Sequence, residues 1–307
     1  MSTSEIVTAA LTLKPVEAEH FDEAYVGTTQ PCPWPKAYGG DLVGPATAAL
    51  ARSVGGDRSL HSMHSYFLRP ADIGAEVRYE VEHLRDGRGY STRHLRAYQS
   101  GKVVYAAMAS FHVTEAGDTF ESAFPDGVPD PSSLPSAAEY LRDEPVDAAS
   151  KVYWSGGRGF DMRHVPGPVY LRVEGSREPH QAVWVKPFDP LRPVDGLTRD
   201  QLHTAALAYV CDYTILEPVL RVLDRPWDQA GLVTASLDHA MWFHRRGSVD
   251  DWLLYAQDAI AADGGRGLGT GRFFTRDGRH LATVAQEGMI RAASGKDKSL
   301  WPRHPPT

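Results

Sequence analysis

Three polar residues in the second half of this chain sit in apolar surroundings: Asp212, Ser236 and Gln286. Asp212 falls in a helical stretch over about 198–223. Its apolar stripe is Leu202, Ala206, Tyr209, Tyr213, Leu216 and Leu220, spaced by four and three. At roughly 100° per residue, Asp212 lies on the flank of that stripe, beside Ala205, Ala208, Val219 and Leu223. Burying a carboxylate costs several kcal/mol unless it is paired or hydrogen-bonded. A carboxylate held there is a candidate base; the plainer reading is a helix aspartate bonded to a backbone amide. Ser236 lies in a strand-like run, 231–245, with mostly apolar odd positions, and a sheet packed on both faces explains that pattern without chemistry. Gln286 shares a strand face with Ala282 and Val284, so its amide needs partners, whether backbone groups or ordered water.

Other chemistries find little support. The glycines at 265, 267, 269 and 271 alternate but do not make G-x-G-x-x-G, and they read better as close approach by a helix backbone. There is no phosphate-binding G-x-x-x-x-G-K-[ST] loop and no G-x-S-x-G elbow. His61 and His64, three apart on a strand, face opposite sides, which is poor geometry for one metal ion. A net charge of −7 without a Lys/Arg run argues against nucleic acid as a partner. No apolar run is long enough to span a membrane, and the first residues do not read as a signal peptide. Cys32 and Cys211 alone make no disulfide framework, so the expected compartment is the reducing cytoplasm.

The elements that must position these residues come in two copies. Ala37–Asp41 matches Ala208–Asp212, and His64–Phe67 loosely matches His239–Trp242. Asp86–Gly89 matches Gly264–Gly267, and Ser100-Gly101 matches Asp277-Gly278. The matches keep one order, with offsets that drift slowly, which indicates two copies of one module. Each copy has a helix, then strands joined by tight turns. The strands are expected near 60–69, 76–86, 89–99 and 102–112, and again near 231–245, 251–257, 266–276 and 279–291. A helix against an antiparallel sheet gives an α+β module. At 307 residues and 42% hydrophobic, the chain has the length and apolar content for two. The expected organisation is a first module over 1–115, a Pro/Ser/Gly-rich connection over 116–165, a second module over 166–292 and a tail over 293–307.

The residues that carry these elements resemble the TesB-type acyl-CoA thioesterase II family. In the first half the resemblance lies in Ala37-Tyr38-Gly39-Gly40, the run from Leu60 to Pro70, that from Leu84 to Arg93, and Ala109-Ser110-Phe111. In the second it lies in the run from Ala235 to Arg245, Asp251–Tyr255, Arg266-Gly267-Leu268 and Gln286-Glu287-Gly288. The resemblance implies a double hotdog, in which each long helix is wrapped by a curved antiparallel sheet. It also implies hydrolysis of acyl-CoA to a free acid and CoA, by an Asp, a Ser or Thr, and a Gln. Asp212, Ser236 and Gln286 match those three positions. Carried back through the repeat, they fall on Asp41, His61 and Ala109, which leaves one active site per chain, in the second module. Asp41 stands where the family commonly has Gln.

The expected reaction is direct attack of a water held by the three side chains, with Asp212 as base. No cofactor is expected, since coenzyme A is part of the substrate. Tyr66, Phe67, Met241 and Trp242 are candidates to line the acyl chain, and Arg69, Arg93 and Arg245 to meet the CoA phosphates. A non-catalytic acyl-CoA or lipid binder on this scaffold is the alternative. A hotdog enoyl-CoA hydratase fits less well, because no His follows Asp212 as its Gly-Asp-x-Asn-Pro-x-His segment requires. Exposed sheet edges and the habit of the fold favour a homo-oligomer, dimer or tetramer.

Overall fold

The structure, a computed structural model, describes residues 2–292. The expected tail lies outside the described residues. After helix α1 (Thr3–Leu11), the first half contributes β1 (Lys14–Val16), β2 (Glu23–Thr28), α2 (Gly40–Arg52), β3 (Arg58–Phe67), β4 (Glu76–Asp86), β5 (Tyr90–Gln99) and β6 (Lys102–Val113). Two short helices follow, α3 (Ala137–Tyr140) and α4 (Ala148–Val152). The second half contributes β7 (Phe160–Val165), β8 (His180–Pro187), α5 (Arg199–Val210), α6 (Glu217–Val222), β9 (Leu232–Ser236), β10 (Asp238–Phe243), β11 (Leu253–Asp263), β12 (Arg266–Thr275) and β13 (His280–Ala292).

All the strand pairings are antiparallel, and they join into one sheet. Its order is β1-β2-β4-β5-β6-β3-β10-β13-β12-β11-β8-β7, with β9 pairing β13 off that path. The halves meet where β3 pairs β10, with Met63 opposite Met241 and both buried. Helices α2 and α5 pack on each other inside the sheet. Glycine permits the contact: a Cβ on Gly40 would lie 2.3 Å from the Tyr209 carbonyl, and one on Gly44 would lie 2.9 Å from the Tyr209 Cβ. One hydrophobic core runs through both halves, from Leu50 and Leu95 to Ala205, Phe273 and Val284. This is the α+β double hotdog that the resemblance implies.

Several details depart from the expected layout. The structure adds α1, β1, β2, β7 and β8 to the elements read from the repeat. Residues 116–165 are more than a connection, because their last six form β7 and pair with β8 at the sheet edge. The long helix over 198–223 is also interrupted. It ends at Val210, passes through a 3-10 turn at Cys211–Tyr213 and restarts at Glu217. Pro218 is the physical reason: it has no N–H to give the Thr214 carbonyl, and its ring excludes a continuous helix there. The strand over 231–245 breaks too. Leu237 and Asp238 stand together opposite Glu287, whose amide is met by the Asp238 side chain at 3.1 Å. That extra residue is a β-bulge, and it shifts the facing of everything before it.

Candidate active site

Two of the three predicted site residues, Asp212 and Ser236, owe their positions to these irregularities. The 3-10 turn takes Asp212 off the regular helix, and the carboxylate turns towards the first module. Alternation predicts opposite faces for Ser236 and Met241, but the bulge brings Ser236 to the inner side, opposite the buried Gly288. Gln286 needs no such device: its face, with Ala282 and Val284, is buried as expected. Gly288 and Gly269 admit the interrupted helix, since a Cβ on either would lie 2.3 Å from an atom of Leu216 or from the Ile215 carbonyl.

The structure brings the three side chains into one hydrogen-bonded cluster. Gln286 Nε2 donates to Asp212 Oδ1 at 2.6 Å and lies 3.0 Å from Ser236 Oγ, which can accept from it. Ser236 Oγ donates to the same Asp212 oxygen at 3.1 Å. Asp212 and Ser236 keep partial exposure, whereas Gln286 is buried. The Gln286 Oε1 atom has no protein partner, so the amide retains one acceptor.

The first module completes the setting. Asp212 faces the start of α2: a Cβ on Gly39 would lie 2.5 Å from Asp212 Oδ2, and the Gly40 amide favours the charged carboxylate. Burial pushes the Asp212 carboxyl above its ordinary range. The Gln286 amide, the Ser236 hydroxyl, the Lys36 ammonium and the Gly40 amide oppose that push. Asp41, in the first turn of α2, is 2% exposed, and burial pushes it up to about 7. Its Oδ2 accepts from the Gln30 amide at 2.9 Å, while its Oδ1 has no protein partner. Pro45 cannot donate to the Asp41 carbonyl, and the Tyr79 hydroxyl does so instead at 3.0 Å.

Lys36 was not among the sequence candidates. It stands in an irregular segment with no period to read, and its only signal is the nearness of Tyr38-Gly39-Gly40 in sequence. Beside Asp212, Cys211 Sγ lies 3.1 Å from His239 Nε2, both fully buried. Burial drives the thiol well above its ordinary value and the imidazole down to about 4, so both are neutral and the sulfur is a poor nucleophile.

The remaining candidates divide. Phe67 lies against Gly39 and Tyr105, at the edge of the site. Met241 is core, paired with Met63. Tyr66 and Trp242 face outward on the sheet, 60% and 36% exposed, so neither lines an acyl site inside it. Arg93 is buried and committed to Asp86 and Ser53, and Arg245 pairs with Glu121. Arg69 is exposed and donates to the Val103 carbonyl. Among the described residues, the one grouping with metal-ligand geometry is Glu19, His20 and Glu80, and the Glu80 oxygens are already met by backbone amides of residues 19–21 and by Arg78. Among them too, no helix is long and apolar enough to cross a membrane.

Known proteins resemble this chain in sequence and fold over nearly its whole length. The family described as "Acyl-CoA thioesterase" matches residues 160–289, and "Acyl-CoA thioesterase N-terminal domain" matches residues 30–112. Human acyl-coenzyme A thioesterase 8 is 33% identical over 298 residues, covering 94% of this chain and 89% of its own. The solved structure of an acyl-CoA thioesterase II, TesB2, from Mycobacterium marinum superposes with a TM-score of 0.72 at 32% identity, covering 95% of this chain and 99% of that one. A protein of unknown function with a hot dog fold from Alicyclobacillus acidocaldarius, at 20% identity and a TM-score of 0.70 over 94% and 98% of the two chains, shares the fold. On sequence and on fold together, the chain belongs to the acyl-CoA thioesterase family.

Proposed function

We propose that the protein hydrolyses acyl-CoA to a carboxylic acid and CoA by direct attack of water, activated by Asp212, Ser236 and Gln286. The observation that carries this reading is the meeting of all three side chains on one carboxylate oxygen, beside the start of α2. Asp212 takes a proton from the water as its oxygen bonds to the thioester carbon. Ser236 and Gln286 hold the carboxylate and orient the water. Negative charge that develops on the carbonyl oxygen is stabilised by the positive end of the α2 dipole, which lies against Asp212 at Gly39 and Gly40. The tetrahedral intermediate then collapses, the C–S bond breaks, and the proton held by Asp212 passes to the departing CoA sulfur.

Thiol release from acyl-CoAs of graded chain length tests the reaction. Asp212→Asn is expected to lower kcat about 10²–10⁴-fold, the usual loss for a general base. Loss of less than about threefold would exclude that role for Asp212. Ser236→Ala separates water attack from an acyl-serine intermediate. With water as nucleophile it keeps a measurable fraction of the rate, and wild type shows no acyl-enzyme burst in rapid mixing. A burst, with a dead alanine variant, would make Ser236 the nucleophile. Tight acyl-CoA binding without thiol release would favour the binding-protein alternative.

A further inference from the structure

We propose that Lys36, from the first module, is a positioning residue whose cation favours the ionised Asp212 carboxylate, so that the second module's base stays ionised to lower pH with this cation beside it. The inference rests on Asp212 being the base. Lys36 lies three residues before Gly39, the residue packed against Asp212 Oδ2. Its Nζ is fixed by a 2.7 Å hydrogen bond to the carbonyl of Thr234, on β9 two residues before Ser236. The ammonium thus reaches across the module boundary and is tied to the strand that carries a second member of the cluster. It attracts Asp212 without touching it: no Lys36–Asp212 contact falls within ion-pair distance among the described residues. A fixed, partly desolvated charge at that range acts through its field, more strongly than it would in water.

The other groups that face Asp212 cannot do this. Tyr38, Tyr105, Tyr255 and Cys211 are buried and stay neutral, since burial drives each above its ordinary value. Asp41 is the remaining charge, and it is of the wrong sign: its ionisation works against that of Asp212. Burial pushes the Lys36 ammonium itself down, and the attraction of Asp212 partly restores it. Each charge of the pair therefore supports the other.

The test is the pH dependence of kcat/KM for thiol release in wild type, Lys36→Gln, Lys36→Met and Lys36→Arg. Gln keeps a donor for the Thr234 carbonyl and removes the charge. The expected result is an acidic limb moved upward by about one pH unit in Lys36→Gln. The rate above the limb should stay within about twofold of wild type, and Lys36→Arg should return the limb to its place. An unmoved limb would overturn the proposal. So would an equal loss at every pH, which would make Lys36 a binding or packing residue. Should Lys36→Gln not fold, Lys36→Met carries the same comparison. Asp212→Asn run in parallel keeps the two readings apart: if it retains wild-type activity and limb, Asp212 is not the base, and that reading fails first.

Discussion

Asp41, buried, and Asp212, half-buried, are carboxyls at matching places in the two modules, and only Asp212 is met by a serine and a glutamine. The consequence for Asp41 is a stability that depends on pH. Its folded value, about 7, lies above the ordinary carboxylate value of 3.8. Between those values the folded protein holds a proton that the unfolded chain has lost. This contribution is complete below the unfolded value and disappears as pH rises through the folded one. Asp41→Asn can still accept from the Gln30 amide and never ionises. It should therefore be more stable than wild type above neutrality by about 2–4 kcal/mol, and close to wild type in acid. Urea unfolding at both pH values checks this, and an equal effect at the two would refute it. Cys211 gives a second prediction. Buried and held neutral against His239, it should resist iodoacetamide in the native protein and react only on unfolding, while the more exposed Cys32 reacts first. The three proposed site residues could be picked out from the sequence, but only through the resemblance. Composition around Asp212 pointed to burial and nothing more, and Lys36 gave no signal, because its proposed role comes from where a loop of one module meets a strand of the other.

At the scale of elements, two of the three proposed site residues sit where regular structure fails. All eight expected strands lie close to observed ones, one of them split in two, because turn residues such as Ser100-Gly101 and Asp277-Gly278 fix hairpins between them. The broken helix and the bulge were not legible in the same way. Helical periodicity continues across the break from Tyr209 to Leu216, and alternation continues across the bulge from Val233 to Leu237, so a pattern reader passes through both. Pro218 was the available sign of the first; the second had none, since a bulge is defined by its partner strand. The edge strands were missed for a further reason: β7 follows a segment whose proline, serine and glycine content reads as loop, and β1 and β2 precede the repeat. The glycines of β12 were informative in the direction expected. Gly269→Ala would place a methyl group 2.3 Å from the Ile215 carbonyl, three residues after Asp212. It should cost about 1–3 kcal/mol of stability and lower activity beyond what that loss explains. A Gly267→Ala control meets the Val219 side chain instead, in the separate small cluster of Val219, Leu220 and Ile290, and should affect stability more than activity.

For the whole molecule, a continuous sheet and a shared core join the halves more firmly than a linker would. The β3–β10 pairing and the α2–α5 contact leave no boundary at which one half could open while the other stays intact. Thermal unfolding should therefore appear as one calorimetric transition, with the van't Hoff and calorimetric enthalpies equal. Two resolved transitions would show that the halves are separate cooperative units. The repeat made this plan legible early, since two copies of an amphipathic helix and sheet have few ways to bury both helices except against each other.

The covalent join between the halves has one further consequence. In a symmetric pair of separate half-length chains, every substitution would occur twice, once at each of two equivalent sites. Fusion removes that rule. Gly39 and Gly40 pack against a carboxylate that lies only in the other half, and Lys36 reaches the strand beside it, so under the proposed mechanism the first module supplies a wall and a charge rather than a second base. A stoichiometric inhibitor of this protein would accordingly saturate at one equivalent per chain, although the backbone repeats itself twice.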